Sequence, residues 1–136
     1  MDKEYKKSWT GLILWAVIFC LALFTLPFLP VEDGALLTRG TSLLTLWGIE
    51  ALMVMMAVNE RVYWCNGVSF EEAKAAGSER RKAYAMAHVK RFGWAALIGT
   101  ALTLLAHLLG WPVWIDMPVT FLAVIVAAFS TIGIKL

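Results

Sequence analysis

Charge is what this chain most lacks. Only 16% of its 136 residues are Asp, Glu, Lys or Arg, where a soluble domain carries about a quarter, and that shortage excludes an ordinary solvated surface. Cysteine is scarce too, with Cys20 inside one apolar run and Cys65 just beyond another. Their depths differ too much for the Cα separation of under about 7 Å that a disulfide needs, so both are expected as free thiols. Catalytic signatures are missing as well. There is no His-Glu-x-x-His, no Cys-x-x-Cys and no glycine-rich phosphate loop, and no serine has a base at a recognisable spacing. The basic residues lack the stacked aromatics that would suggest nucleic acid. The sequence therefore predicts no enzyme activity, no cofactor and no bound metal.

What fills the chain is apolar: 60% of the residues are hydrophobic. They fall into four runs, approximately residues 9–29, 41–58, 93–109 and 113–134. A helix needs about 20 residues to cross a hydrocarbon core of about 30 Å, so each run supplies one crossing and no further domain fits. The first run is too long for a signal core and ends at Leu26-Pro27-Phe28-Leu29-Pro30 without a small-x-small cleavage site. Phe19 before Cys20 also opposes lipid processing there, so the run is expected to be retained.

Charge distribution sets the orientation. Eleven of the twelve Lys and Arg residues lie on one side: Lys3, Lys6 and Lys7, then Arg61, Lys74, Arg80, Arg81, Lys82, Lys90 and Arg91, and finally Lys135. Only Arg39 falls on the other side, with Glu32, Asp33 and Asp116. The positive-inside rule then places both termini and the middle segment in the cytoplasm. Tyr5, Trp9, Tyr63, Trp64 and Trp94 mark the inner interface, and Trp111 and Trp114 the outer one. The outer loops are short and rich in Pro and Gly, which forces antiparallel neighbours. The expectation is an all-α integral protein of the cytoplasmic membrane, one domain over residues 1–136. Its four transmembrane helices form an up-down-up-down antiparallel bundle, and a cytoplasmic helical segment, residues 59–92, joins spans two and three.

That segment has legible punctuation. Asn66-Gly67 signals a turn, and Ser69 followed by Glu72 has the spacing of a capping box. Gly77 should break the helix, and Ser78 should cap a second one that runs without Pro or Gly into span three. Residues 79–109 would then form a single rod of about 46 Å.

Glu50 stands alone in the second apolar run, TLWGIEALMVMM. Counted from Thr41 it lies about 13 Å into the span, near the midplane, with Trp47 one turn before it on the same face. A carboxyl group at that depth cannot reach either surface and must find an internal partner. Two readings stand side by side: a site for a proton or cation, or a hydrogen-bond tie between helices, worth only about 0.6 kcal/mol. Thr100, Thr103 and His107 share one stripe of span three by their i, i+3, i+7 spacing. Thr100 and Thr103 are expected near the depth of Glu50, with His107 further out, which would suit a relay. A satisfied histidine near the interface is the plainer reading of His107. Ala95, Gly99 and Thr103, and again Ala123, Ala127 and Ser130, form small-residue seams for close helix packing within or between chains.

Arg80, Arg81, Lys82, Lys90 and Arg91 lie beside the inner membrane surface. They serve either as topology signals or as a surface for a partner or anionic lipid. The plan shares four thin spans and a membrane glutamate with small multidrug transporters, but there the glutamate belongs to the first span, and no family motif is recognised. The leading expectation is a homo-oligomeric proton- or cation-coupled transporter or channel working through Glu50, with Thr100, Thr103 and His107 lining the outer half of its path. The alternative is a non-catalytic accessory or scaffold subunit of a membrane complex that docks a partner through its basic helix.

Overall fold

The structure, a computed structural model, describes residues 4–65 and 67–136. Lys3 and Asn66, used above for orientation and for a turn, lie outside the described residues. Among those described the chain is all-helical, 80% helix with no strand. Four helices are long and apolar enough to cross a membrane. They are α1 (Thr10–Thr25), α2 (Gly34–Asn59), α3 (Phe70–Leu108) and α4 (Asp116–Thr131), with 3-10 turns at Leu26–Phe28, Val62–Trp64 and Val113–Ile115.

Each boundary has a local cause. Pro27 lies in the turn that ends α1, since proline removes a donor and crowds the preceding turn. Asp33 opens α2, its Oδ1 accepting from the backbone N–H of Ala35 at 2.9 Å and of Leu36 at 3.3 Å. The expected capping box opens α3: Ser69 Oγ accepts from Glu72 N–H, and Glu72 Oε2 from Ser69 N–H at 2.7 Å. Gly77 breaks the helix as expected, with φ 77° and ψ 165°, a conformation that costs a residue with a Cβ but not glycine. It separates a short arm, residues 70–76, from a rod, residues 78–108. The Ser78 hydroxyl, expected to cap that rod, instead donates to Glu60 Oε1 at 2.8 Å.

Helices α2, α3 and α4 pack mutually, while α1 lies against α2 and has no buried residue. Two contacts hold it there: Trp15 Nε1 donates to the Gly48 carbonyl at 2.9 Å, and the Phe19 ring covers the face of Gly48 where a Cβ would collide with it. The buried face of α2 reads Arg39, Ser42, Leu46, Glu50, Met53, Met56, the three- and four-residue spacing of a packed seam. Leu46 seats over Gly99 so closely that a Cβ on the glycine would overlap it. This is the close approach anticipated for the small-residue seam, with Ala96 beside it also buried. The hydrophobic core gathers Met53, Met56, Val62, Tyr63, Ala73, Tyr84 and Ala85 at the end of the molecule rich in Lys and Arg. Elsewhere the helices turn large apolar side chains outward, Phe24 being 71% and Leu108 80% exposed. Water would penalise those faces; hydrocarbon would not.

Candidate functional site

Glu50 is buried between α2 and α3. Its neighbour across the interface is Gly93, where a Cβ would lie only 3.2 Å from Glu50 Oε1, so the glycine provides the space for the carboxyl group. Oε2 is buried with no hydrogen-bond partner among the described residues. A tie between helices needs a donor on the second helix, and the residue opposite has no side chain. Because α2 begins at Gly34, seven residues before the expected span, Glu50 lies about 24 Å from that end and about 14 Å from Asn59. Within α2 it therefore lies nearer the basic end than the other.

The stripe on α3 does not gather around it. By helical rise Thr100, Thr103 and His107 stand about 10, 15 and 21 Å along α3 from Gly93. Thr100 Oγ1 accepts from Trp47 Nε1 at 3.0 Å and donates to the Ala96 carbonyl at 2.7 Å. Trp47 is thus turned outward, 44% exposed, and does not share the buried face of Glu50. Thr103 is buried, on the far side of the Leu46–Gly99 contact from Glu50.

His107 belongs to a cluster that sequence reasoning missed. Arg39, assigned above to the outer loop, is a buried residue of α2. Its Nη1 lies 2.9 Å from His107 Nδ1, and its Nη2 donates to the Trp111 carbonyl at 2.9 Å and the Ala106 carbonyl at 3.4 Å. Arg39 Nε lies 3.4 Å from Asp116 Oδ2, the two forming an ion pair that is almost wholly buried. Neither of those two atoms completes a hydrogen bond. Since a guanidinium only donates, Nδ1 of His107 must accept, which leaves the ring hydrogen on Nε2. The cluster joins α2, α3 and the start of α4. The signal for it was present: Arg39 is in phase with Ser42, Leu46 and Glu50, which a loop residue need not be.

The opposite end of α2 is closed by another acidic residue. Glu60 adopts φ 55°, in the left-handed region that disfavours side chains. Its Oε1 accepts from Ser78 and lies 3.5 Å from Lys82 Nζ, while Oε2 accepts from Arg81 Nε at 3.1 Å and lies 2.9 Å from Arg81 Nη2. Its carbonyl accepts from the Tyr5 hydroxyl at 2.6 Å. Burial alone would push its pKa up, but the Ser78 and Arg81 hydrogen bonds and the charges of Arg81 and Lys82 together outweigh it and hold the carboxyl below its ordinary value. Arg81 Nη1 also donates to the Ala73 carbonyl at 3.0 Å, pinning the arm to the rod. Of the five basic residues singled out in the sequence, Arg81 is therefore buried, whereas Arg80, Lys82, Lys90 and Arg91 are exposed.

A second feature missed in the sequence is a groove of about 610 Å³ between α2 and α4, lined by Thr38, Thr41, Ser42, Thr45 and Thr120. The i, i+3, i+4, i+7 spacing of the first four would have revealed the hydroxyl stripe. Thr38, Thr41 and Thr45 donate to carbonyls four residues earlier, at 2.9 to 3.0 Å, so their protons are already engaged. Comparison with family models, curated proteins and solved structures gives no match, so the geometry alone carries the functional reading.

Proposed function

We propose that the chain is a small polytopic membrane protein that works as a homo-oligomeric proton- or cation-coupled transporter or channel, with Glu50 as the ion-binding group. The four helices cross in up-down-up-down order, with the basic end and both termini in the cytoplasm. The observation that carries the reading is the buried Glu50 carboxyl without a hydrogen-bond donor. A carboxyl kept in such a place without partners gains nothing structurally, whereas a proton or cation would supply the missing partner. Leu46 over Gly99, and beyond it the Arg39–Asp116 pair, close the outer half of the three-helix core. Thr103 and Ser42, both buried, are the polar groups between the two closures, and His107 acts through its contact with Arg39. Substitution Glu50→Gln in vesicles loaded with a pH-sensitive dye, under a potassium diffusion potential, should abolish proton uptake and leave assembly intact. Unchanged uptake would remove Glu50 from the mechanism.

The accessory-subunit reading is favoured by a different observation, the exposure of Arg80, Lys82, Lys90 and Arg91 along the rod. A partner gripping that surface would act on a helix continuous with Thr100 and Thr103. Replacing Arg80 and Lys82 by Gln should then reduce retention of the partner in pull-downs from membranes. Unaltered retention leaves those charges as topology signals only.

A further inference from the structure

The basic end carries a groove of about 1080 Å³ that shares only Arg80 with the basic surface of the second reading. Met53 of α2, Val68 before the arm, Phe92 of the rod, Phe129 of α4 and Ile132 just after it give it apolar walls. Arg80 and Lys135 line it from the rod and from beyond α4, both exposed, and neither has an acidic partner within ion-pair distance among the described residues. Glu72 also lines it, but its Oε2 is engaged by the Ser69 N–H. One polar ring lies deeper. His88 is 4% exposed, and its Nδ1 stands 2.9 Å from the Tyr84 carbonyl, which can only accept. The ring proton is therefore on Nδ1, and Nε2 keeps its lone pair. Burial holds the His88 pKa below its ordinary value despite that carbonyl bond, so the ring is neutral.

Apolar walls with a few convergent polar groups are the usual make-up of a ligand site. Here two cations outnumber the single carboxylate of Glu72 and the walls suit hydrocarbon, a combination that matches an amphiphile with an anionic head. A small hydrophilic anion would leave the walls unused, and a neutral chain would leave the two cations unanswered. We propose that this groove binds an acyl chain of an anionic phospholipid from the adjoining leaflet, with its phosphate held by Arg80 and Lys135. The proposal is independent of Glu50.

Cys65 lines the same groove and reports on it. Burial pushes its thiol up to about 11, so alkylation is slow and readily protected. The full chain carrying Cys20→Ala, in detergent micelles, would be titrated with dioleoyl phosphatidylglycerol, dioleoyl phosphatidylcholine or inorganic phosphate, and maleimide labelling of Cys65 followed by mass spectrometry. Phosphatidylglycerol is expected to protect Cys65 at concentrations where the zwitterionic lipid does not. Arg80→Gln with Lys135→Gln should raise the concentration required about tenfold or more. Lys135→Gln alone, at an exposed position beyond α4, should give a smaller shift without any risk to folding. Equal protection by both lipids, protection by phosphate alone, no protection, or indifference to both charge variants would each overturn the proposal. No flux is measured, so this outcome is separate from that of Glu50.

Discussion

The two ends of α2 treat paired charge in opposite ways. At the basic end Glu60 is saturated: one serine, one arginine and one lysine surround its carboxylate, and Tyr5 secures its carbonyl. At the other end Arg39 reaches four groups on two other helices and their connecting turn, yet its pairing with Asp116 stays incomplete, with Nε and Oδ2 lacking a proper hydrogen bond. Glu50, between them, has a buried Oε2 with no hydrogen-bond partner among the described residues. A satisfied network rigidifies its surroundings, whereas a half-satisfied buried pair is held at an energetic cost. The polar groups of the basic end therefore form the better-satisfied frame of the molecule, and the seam from Glu50 to Arg39 carries its uncompensated buried polar atoms.

The sharpest way to break this contrast is to remove Arg39. Arg39→Gln strands Asp116 in a buried site and should destabilise the chain by about 3 kcal/mol, read as thermal unfolding in micelles. Adding Asp116→Asn should restore a large part of that loss, because the double variant leaves no uncompensated charge. Arg81→Gln at the basic end should cost about 2 kcal/mol, since Glu60 keeps Ser78 and Lys82. If it costs more than Arg39→Gln, the saturated end is the weaker one and the contrast fails. Gly77→Ala should cost about 1 to 2 kcal/mol through backbone strain alone, because a Cβ there meets nothing within 4 Å. Glu50→Gln should leave unfolding within about 1 kcal/mol of the parent, as no hydrogen bond is lost.

Acid separates the frame by its own titration. His88 and Glu60 both have pKa values held below their ordinary ones. The stability each contributes is therefore complete above the unfolded value and lost as pH falls towards the folded one. Lowering pH should weaken the frame first below about 6.5, where unfolded histidine takes up its proton, and again below about 4.3, where unfolded glutamate does. Thermal unfolding against pH in His88→Gln should lose the upper step, and in Glu60→Gln the lower one.

Much of this molecule was legible in the order of residues along the chain. The four apolar runs, the Ser69–Glu72 capping box, the break at Gly77, the continuity of the rod into the third apolar helix and the closeness at Gly99 all follow from periodicity, capping chemistry and side-chain size, which act over one or two helical turns. Partnership did not follow. Arg39 and His107 are 68 residues apart in sequence, and only the packing of α2 against α3 and α4 turned an apparent loop charge into the centre of a buried cluster. The same packing set Glu50 against Gly93 and away from Thr100, and drew Arg81 out of a run of surface cations into the pair with Glu60. Apolar faces are interchangeable partners in hydrocarbon, so hydropathy determines that helices form while their register and order are decided by which small residues admit which neighbours.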